Sequence, residues 1–284
     1  MADKAAIDEL PDYDNPPVIE TVLGVQFDRL SKFTNAHLGA FWKTLSQNEW
    51  RKVSDAPPLP NQFEAFDDNA LWARAGIRFT QDAACRLMIS NAASDRMIQI
   101  QNSRLHLNWM GREGGSYPKY ARTRSEFEKL LSQFTQFVAA EGLGEFHPNQ
   151  WEITYVNEIG KDSIWNTPAD WRFFKPLGGL PTIVGVIEGE SFDGRWHFVL
   201  PDKRGRLHTE WQFARHLSKE KEASAQVSVQ LTFTARGPIV ENEEDSKSVF
   251  AGLDLGHATI VRSFRELMTA EANRYWGLKN GNSD

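Results

Sequence analysis

The spacing of hydrophobic residues changes period several times along the chain, and each change marks an element. Residues 18–27 (VIETVLGVQF) are rich in β-branched side chains and predict a strand. Across residues 31–50, Phe33, His37, Phe41 and Leu45 recur at helical spacing, with Ser31 as the expected N-cap. The run DAPPLP at 55–60 breaks into a loop. A meander follows: residues 71–79, 85–90, 96–101 and 104–109 each predict a strand, the last two joined tightly through Asn102 and Ser103. Thr123 and Glu126 have the spacing of a capping box at the start of a helix. Behind them Phe127, Leu130, Leu131, Phe134 and Val138 form one apolar stripe, which stops at Gly142 and Gly144.

The plan then recurs. Residues 151–159 (WEITYVNEI) predict a strand, and a Pro- and Gly-rich stretch with Trp165 and Trp171 separates it from strands at 194–200, 206–214 and 225–235. Within the last of these, QVSVQLTFT alternates cleanly, so one face is buried and the other polar. An acidic loop is expected at 240–248, then a helix over 255–276 with Asp254 as N-cap and Ile260, Phe264, Leu267 and Met268 as its stripe. Hairpin-like joints between strands imply antiparallel pairing. The fold class is therefore α+β, with two antiparallel β-meander-plus-helix halves, a plan that would suit a structural duplication. The expected organisation is a flexible arm at 1–15, one half at 16–160, a packed connection at 161–190, a second half at 191–278 and a flexible tail at 279–284.

Composition narrows the function classes. The 284 residues are 40% hydrophobic and 25% charged, enough for a substantial core. A net charge of -6 argues against a protein held mainly by nucleic-acid phosphates, without excluding a local basic patch. Cys85 is the only cysteine, so no internal disulfide can form, and its place in a strand pattern suits burial better than nucleophilic chemistry. No window is apolar enough for a membrane span, and the first ten residues lack the apolar region of a signal peptide. The expected compartment is the cytoplasm. The signatures of P-loop, dinucleotide-binding, zinc-protease, serine-hydrolase and dithiol sites are all absent, and nothing calls for a cofactor or metal.

A set of short stretches carries a family resemblance. They are Pro16-Pro17-Val18-Ile19-Glu20 with Gly24 and Phe27; Gln99-Ile100-Gln101, Arg104 and Asn108-Trp109; Tyr117-Pro118-Lys119-Tyr120 and Phe127; Tyr155-Val156-Asn157-Glu158-Ile159; and Leu253-Asp254-Leu255-Gly256-His257 with Phe264, Trp276 and Gly277. In this order they resemble a sporadically distributed bacterial protein family of unknown function. The match spreads over about 260 residues and implies a full-length member; it supplies no activity. A scattered occurrence would suit mobile or defence-linked loci, which is association rather than mechanism.

Four polar groupings are candidate sites. Alternation along the hairpin at 96–109 puts Gln99, Gln101, His106 and Asn108 on one face, either lining a cleft or facing solvent. His208 and Glu210 share a strand face in the second half, where an imidazole beside a carboxylate could act as a general base. Asp254 and His257 open the last expected helix, and Tyr117, Tyr120, Arg122 and Arg124 precede the earlier one, a basic and aromatic segment that could hold a phosphate or stack a base. Two function classes follow. The first is a non-enzymatic module binding a small molecule or protein partner between sheet and helix. The alternative is an enzyme or effector acting on nucleotides or nucleic acid. Either is compatible with a homodimer.

Overall fold

The computed structural model describes residues 10–66, 85–111, 117–178, 190–216, 226–239 and 245–279. Within them run nine strands: β1 (Val18–Phe27), β2 (Trp50–Ala56), β3 (Arg86–Asn91), β4 (Arg96–Gln101), β5 (Arg104–Met110), β6 (Pro148–Gly160), β7 (Asp193–Val199), β8 (Arg206–His216) and β9 (Gln226–Pro238). The α-helices are α1 (Asn35–Thr44), α2 (Lys119–Ala140), α3 (Asp245–Leu267) and α4 (Ala270–Tyr275).

All nine strands join one antiparallel sheet in the order β2-β3-β4-β5-β1-β6-β9-β8-β7. The α+β class expected from the sequence is therefore the class observed. The two meander-plus-helix stretches share this sheet. In each, the first strand lies at the centre, the meander returns so that its last strand pairs with the first, and a helix follows. The centre is the antiparallel pair β1–β6, in register from Glu20 opposite Val156 to Gln26 opposite Gln150.

Period-two alternation gives the sheet two unlike faces. One carries Leu23, Val25, Ile98, Ile100, Leu105, Leu107, Ile153, Val229, Leu231, Phe233 and Leu207, all buried. The helices cover this face, and α2 and α3 lean on each other through Phe127 and Phe250. Close approach of α3 to β6 depends on Gly252 and Gly256. A Cβ at Gly252 would fall 2.2 Å from the Trp151 ring, and one at Gly256 2.5 Å from Ile153. Trp165 and Trp171 of the connecting segment pack on each other and on Phe213 of β8.

Several boundaries differ from expectation. The helix at 31–50 is shorter: Thr34, not Ser31, caps α1, with its backbone N–H donating to His37 Nδ1 at 3.0 Å. Trp50 opens strand β2 instead, whose side chains are mostly exposed, so alternation gave no signal. Helix α2 begins at Lys119, so Thr123 lies inside it and donates to the Tyr120 carbonyl rather than capping. The Glu126 carboxylate accepts from Arg96 and Arg122, not from a helix end. Likewise α3 begins at Asp245, which places Asp254 in mid-helix, and the expected single C-terminal helix breaks at Met268 before Thr269 caps α4. Residues 245–248 of the expected acidic loop are therefore helical; the expected strand at 71–79 lies outside the described residues. Cys85 is only partly buried.

Candidate functional site

The helix-covered face is not filled everywhere. Where the first turn of α2 meets the middle of α3 over β1 and β6 lies a cavity of about 540 Å³. Its walls are largely apolar: Leu10, Pro11, Pro16, Val18, Ile260, Val261 and Phe264. The segment 10–16 forms one wall because it is docked. Tyr13 is buried, donates to Asn273 Oδ1 at 2.7 Å, stands edge-on to Phe264 and bridges Leu278.

A chain of hydrogen bonds crosses the cavity floor. Tyr117 OH donates to Tyr155 OH at 3.3 Å, and Tyr155 OH lies 2.9 Å from His257 Nδ1. Tyr155 is buried and its other hydroxyl partner, Tyr117, donates to it, so among the described residues Nδ1 is the acceptor at hand for the Tyr155 proton; that bond makes Nδ1 an acceptor and leaves the imidazole proton on Nε2. Tyr120 stacks on the His257 ring at 4.0 Å with an 11° interplanar angle. Burial pushes His257 down to about 4, against the pull of Asp254, so the ring is neutral at pH 7. Burial likewise pushes Tyr117 up to about 12 and Tyr155 and Tyr120 above their ordinary values.

Among the described residues, each charged side chain at this cavity is paired. Asp254 takes Arg124 in a two-point pair (2.7 and 3.2 Å) and accepts from Tyr120 at 2.6 Å. Lys119 reaches Asp12 at 2.7 Å and the Tyr13 carbonyl at 2.6 Å, and Lys279 reaches Asp12 at 2.8 Å. Lys119 holds φ at 62°, a left-handed backbone that a lysine adopts at some cost and that its two bonds to the docked segment help maintain.

The opposite face of the sheet is polar and, at its middle, also buried. Gln99 donates to Asn108, Asn108 donates to Glu20, and Arg86 donates to Gln99, a line across four strands. The His106 ring packs against Gly24, where a Cβ would fall 2.3 Å from the ring. Burial pushes His106 down to about 4, partly offset by Glu152 3.9 Å away. Residues 57–66 cross this face as a strap whose backbone is held by glutamines: Leu59 N–H donates to Gln101, Gln62 N–H to Gln26 and Glu64 N–H to Gln150. The strap delivers Glu64, nearly inaccessible, to Arg206, Arg236 (2.9 Å) and His208 (2.7 Å). Burial alone would raise its carboxyl; the bonds from His208 and Arg236 outweigh that and hold it at about 2.

The sequence-derived candidates thus separate into two groups on opposite faces. Tyr117, Tyr120, Asp254 and His257 converge on the cavity, though none acts through a helix N-terminus. Gln99, Gln101, His106 and Asn108 share a face as alternation required, but they are buried in their own hydrogen bonds. His208 and Glu210 lie on that same face; Glu210, however, is exposed and pairs with Arg195, and the carboxylate partner of His208 is Glu64. Arg122 is 71% exposed, pairs with Glu126 and does not line the cavity. Sequence reasoning missed Tyr155, which it placed in a strand and in the family resemblance but not at a site, and Tyr13 and Glu64, which lie in segments without periodicity. Among the described residues, no group of three or more His, Cys, Asp or Glu could hold a metal, and no helix is long and apolar enough to cross a membrane. Neither the models of known protein families nor the curated proteins contain a match to this chain.

Proposed function

We propose that the protein is a non-enzymatic module that binds a small molecule in the cavity between α2, α3 and the sheet. The observation that carries this reading is the cavity itself: about 540 Å³, with apolar walls and a few convergent polar groups, within the range of ligand pockets. Four of the five stretches that resemble the bacterial family also meet there, through Pro16, Val18, Tyr117, Tyr120, Tyr155 and His257. The nucleotide reading finds less support, because Lys119, Arg122 and Arg124 each already hold a carboxylate.

The test is titration with Prodan, a neutral solvatochromic naphthyl ketone. Saturable one-site binding with blue-shifted emission is expected. Ala121→Trp, an exposed position on the cavity wall, should abolish it without lowering the melting temperature. Binding that is absent, or unchanged in Ala121→Trp, would reject the cavity as the site.

A further inference from the structure

We infer that this cavity selects uncharged molecules with an apolar body and one hydrogen-bond acceptor, such as a carbonyl oxygen, and that His257 Nε2–H reads the acceptor. The inference rests on the cavity being the ligand site and adds the class of ligand.

Three features of the geometry lead there. First, the relay from Tyr117 through Tyr155 engages Nδ1 and fixes the proton on Nε2, which has no hydrogen-bond partner among the described residues. Second, Tyr120 stacked at 4.0 Å fixes the plane of the ring, so this donor is held in place rather than recruited. Third, among the described residues no charge at the cavity is left to neutralise another: Asp254 is committed to Arg124 and Lys119 to Asp12. A carboxylate or phosphate buried here would lose its hydration for one neutral N–H, and an ammonium would meet only a carboxylate already paired. A neutral acceptor loses little and gains one directed bond.

The experiment compares three compounds of one shape as competitors of Prodan: 2-acetylnaphthalene (neutral acceptor), 2-ethylnaphthalene (no acceptor) and 2-naphthoate (anion). The acetyl compound should bind about tenfold more tightly than the ethyl compound, as one net hydrogen bond gives, and 2-naphthoate should bind most weakly. His257→Phe keeps a ring against Tyr120 but removes the donor, so the acetyl and ethyl compounds should become equal while both still bind. Tyr155→Phe frees Nδ1 and lets the ring proton exchange between nitrogens, so the acetyl preference should shrink. Equal affinity of the acetyl and ethyl compounds in the wild-type protein, a preference for 2-naphthoate, or an acetyl preference that survives His257→Phe would each overturn the ligand class. In those cases loss of binding in Ala121→Trp would still uphold the cavity. Binding of all three compounds to Ala121→Trp would instead remove the cavity reading and this inference with it.

Discussion

At the scale of single residues, the buried imidazoles set the acid tolerance of the fold. His106 and His257 both sit near 4 instead of their ordinary 6.5, because burial favours the neutral ring. A group depressed in the folded state stabilises fully above its unfolded pKa and loses that contribution as pH falls. Stability should therefore decline from pH 6.5 towards 4, with His106 alone accounting for up to about 3 kcal/mol. Glu64, depressed from 4.5 to about 2, adds a second decline between those values. Urea midpoints measured against pH would show this, and His106→Gln should flatten the first limb by about one proton, or roughly 1.4 kcal/mol per pH unit. An unchanged slope would mean that His106 is protonated in the fold. The residue types at these positions were legible in the sequence, but their burial was not. Gln99, His106 and Asn108 look alike on a wet face and under a cover, and the cover is a segment that leaves no pattern of its own.

That cover is an element without secondary structure. Residues 57–66 hold no helix or strand, and their prolines gave only a loop signal, yet three glutamines from β1, β4 and β6 accept their backbone N–H groups. Side chains here do for the strap what a neighbouring strand would do for a sheet edge. Gln26→Leu with Gln150→Leu should free the Gln62 and Glu64 amides, each bond being worth about 1 kcal/mol net. Their hydrogen exchange should speed up roughly tenfold while the β1 and β6 amides keep their protection; equal acceleration across the sheet would show general destabilisation instead. Regular elements were easier to read. Strands β1, β4, β5, β6 and β9 follow from alternation or β-branched runs, and the stripes of α2 and α3 from helical spacing. Helix starts were misread because Thr123 and Asp254 have the chemistry of caps and use it elsewhere, Thr123 on the Tyr120 carbonyl within its own helix and Asp254 on Arg124 of the neighbouring one.

For the whole molecule, the defining joint is the β1–β6 pair. Each flank of the sheet brings its own meander and helix, but neither closes both edges of its own central strand: β1 needs β6, and β6 needs β1. Chains cut after Gly144, in the exposed turn behind α2, should each be poorly soluble alone and should form a soluble 1:1 complex when co-expressed, because each fragment alone exposes a long central strand. Gel filtration of the separate and co-expressed fragments decides the point, and a soluble monomer with a cooperative transition from either fragment would refute it. The sequence indicated two similar stretches but not their union, since alternation reports which face a strand buries and not which neighbour it pairs with. The joint also matters while the protein is being made. Strand β1 can pair with β5 early, but β6 begins about 120 residues after β1 ends. At roughly 5–20 residues per second, one edge of β1 stays open on the ribosome for roughly 6–24 s. During that interval the nascent chain carries a sticky strand, and its yield in a cell should depend on translation speed and on chaperones that shield such edges more than on the stability of the finished fold.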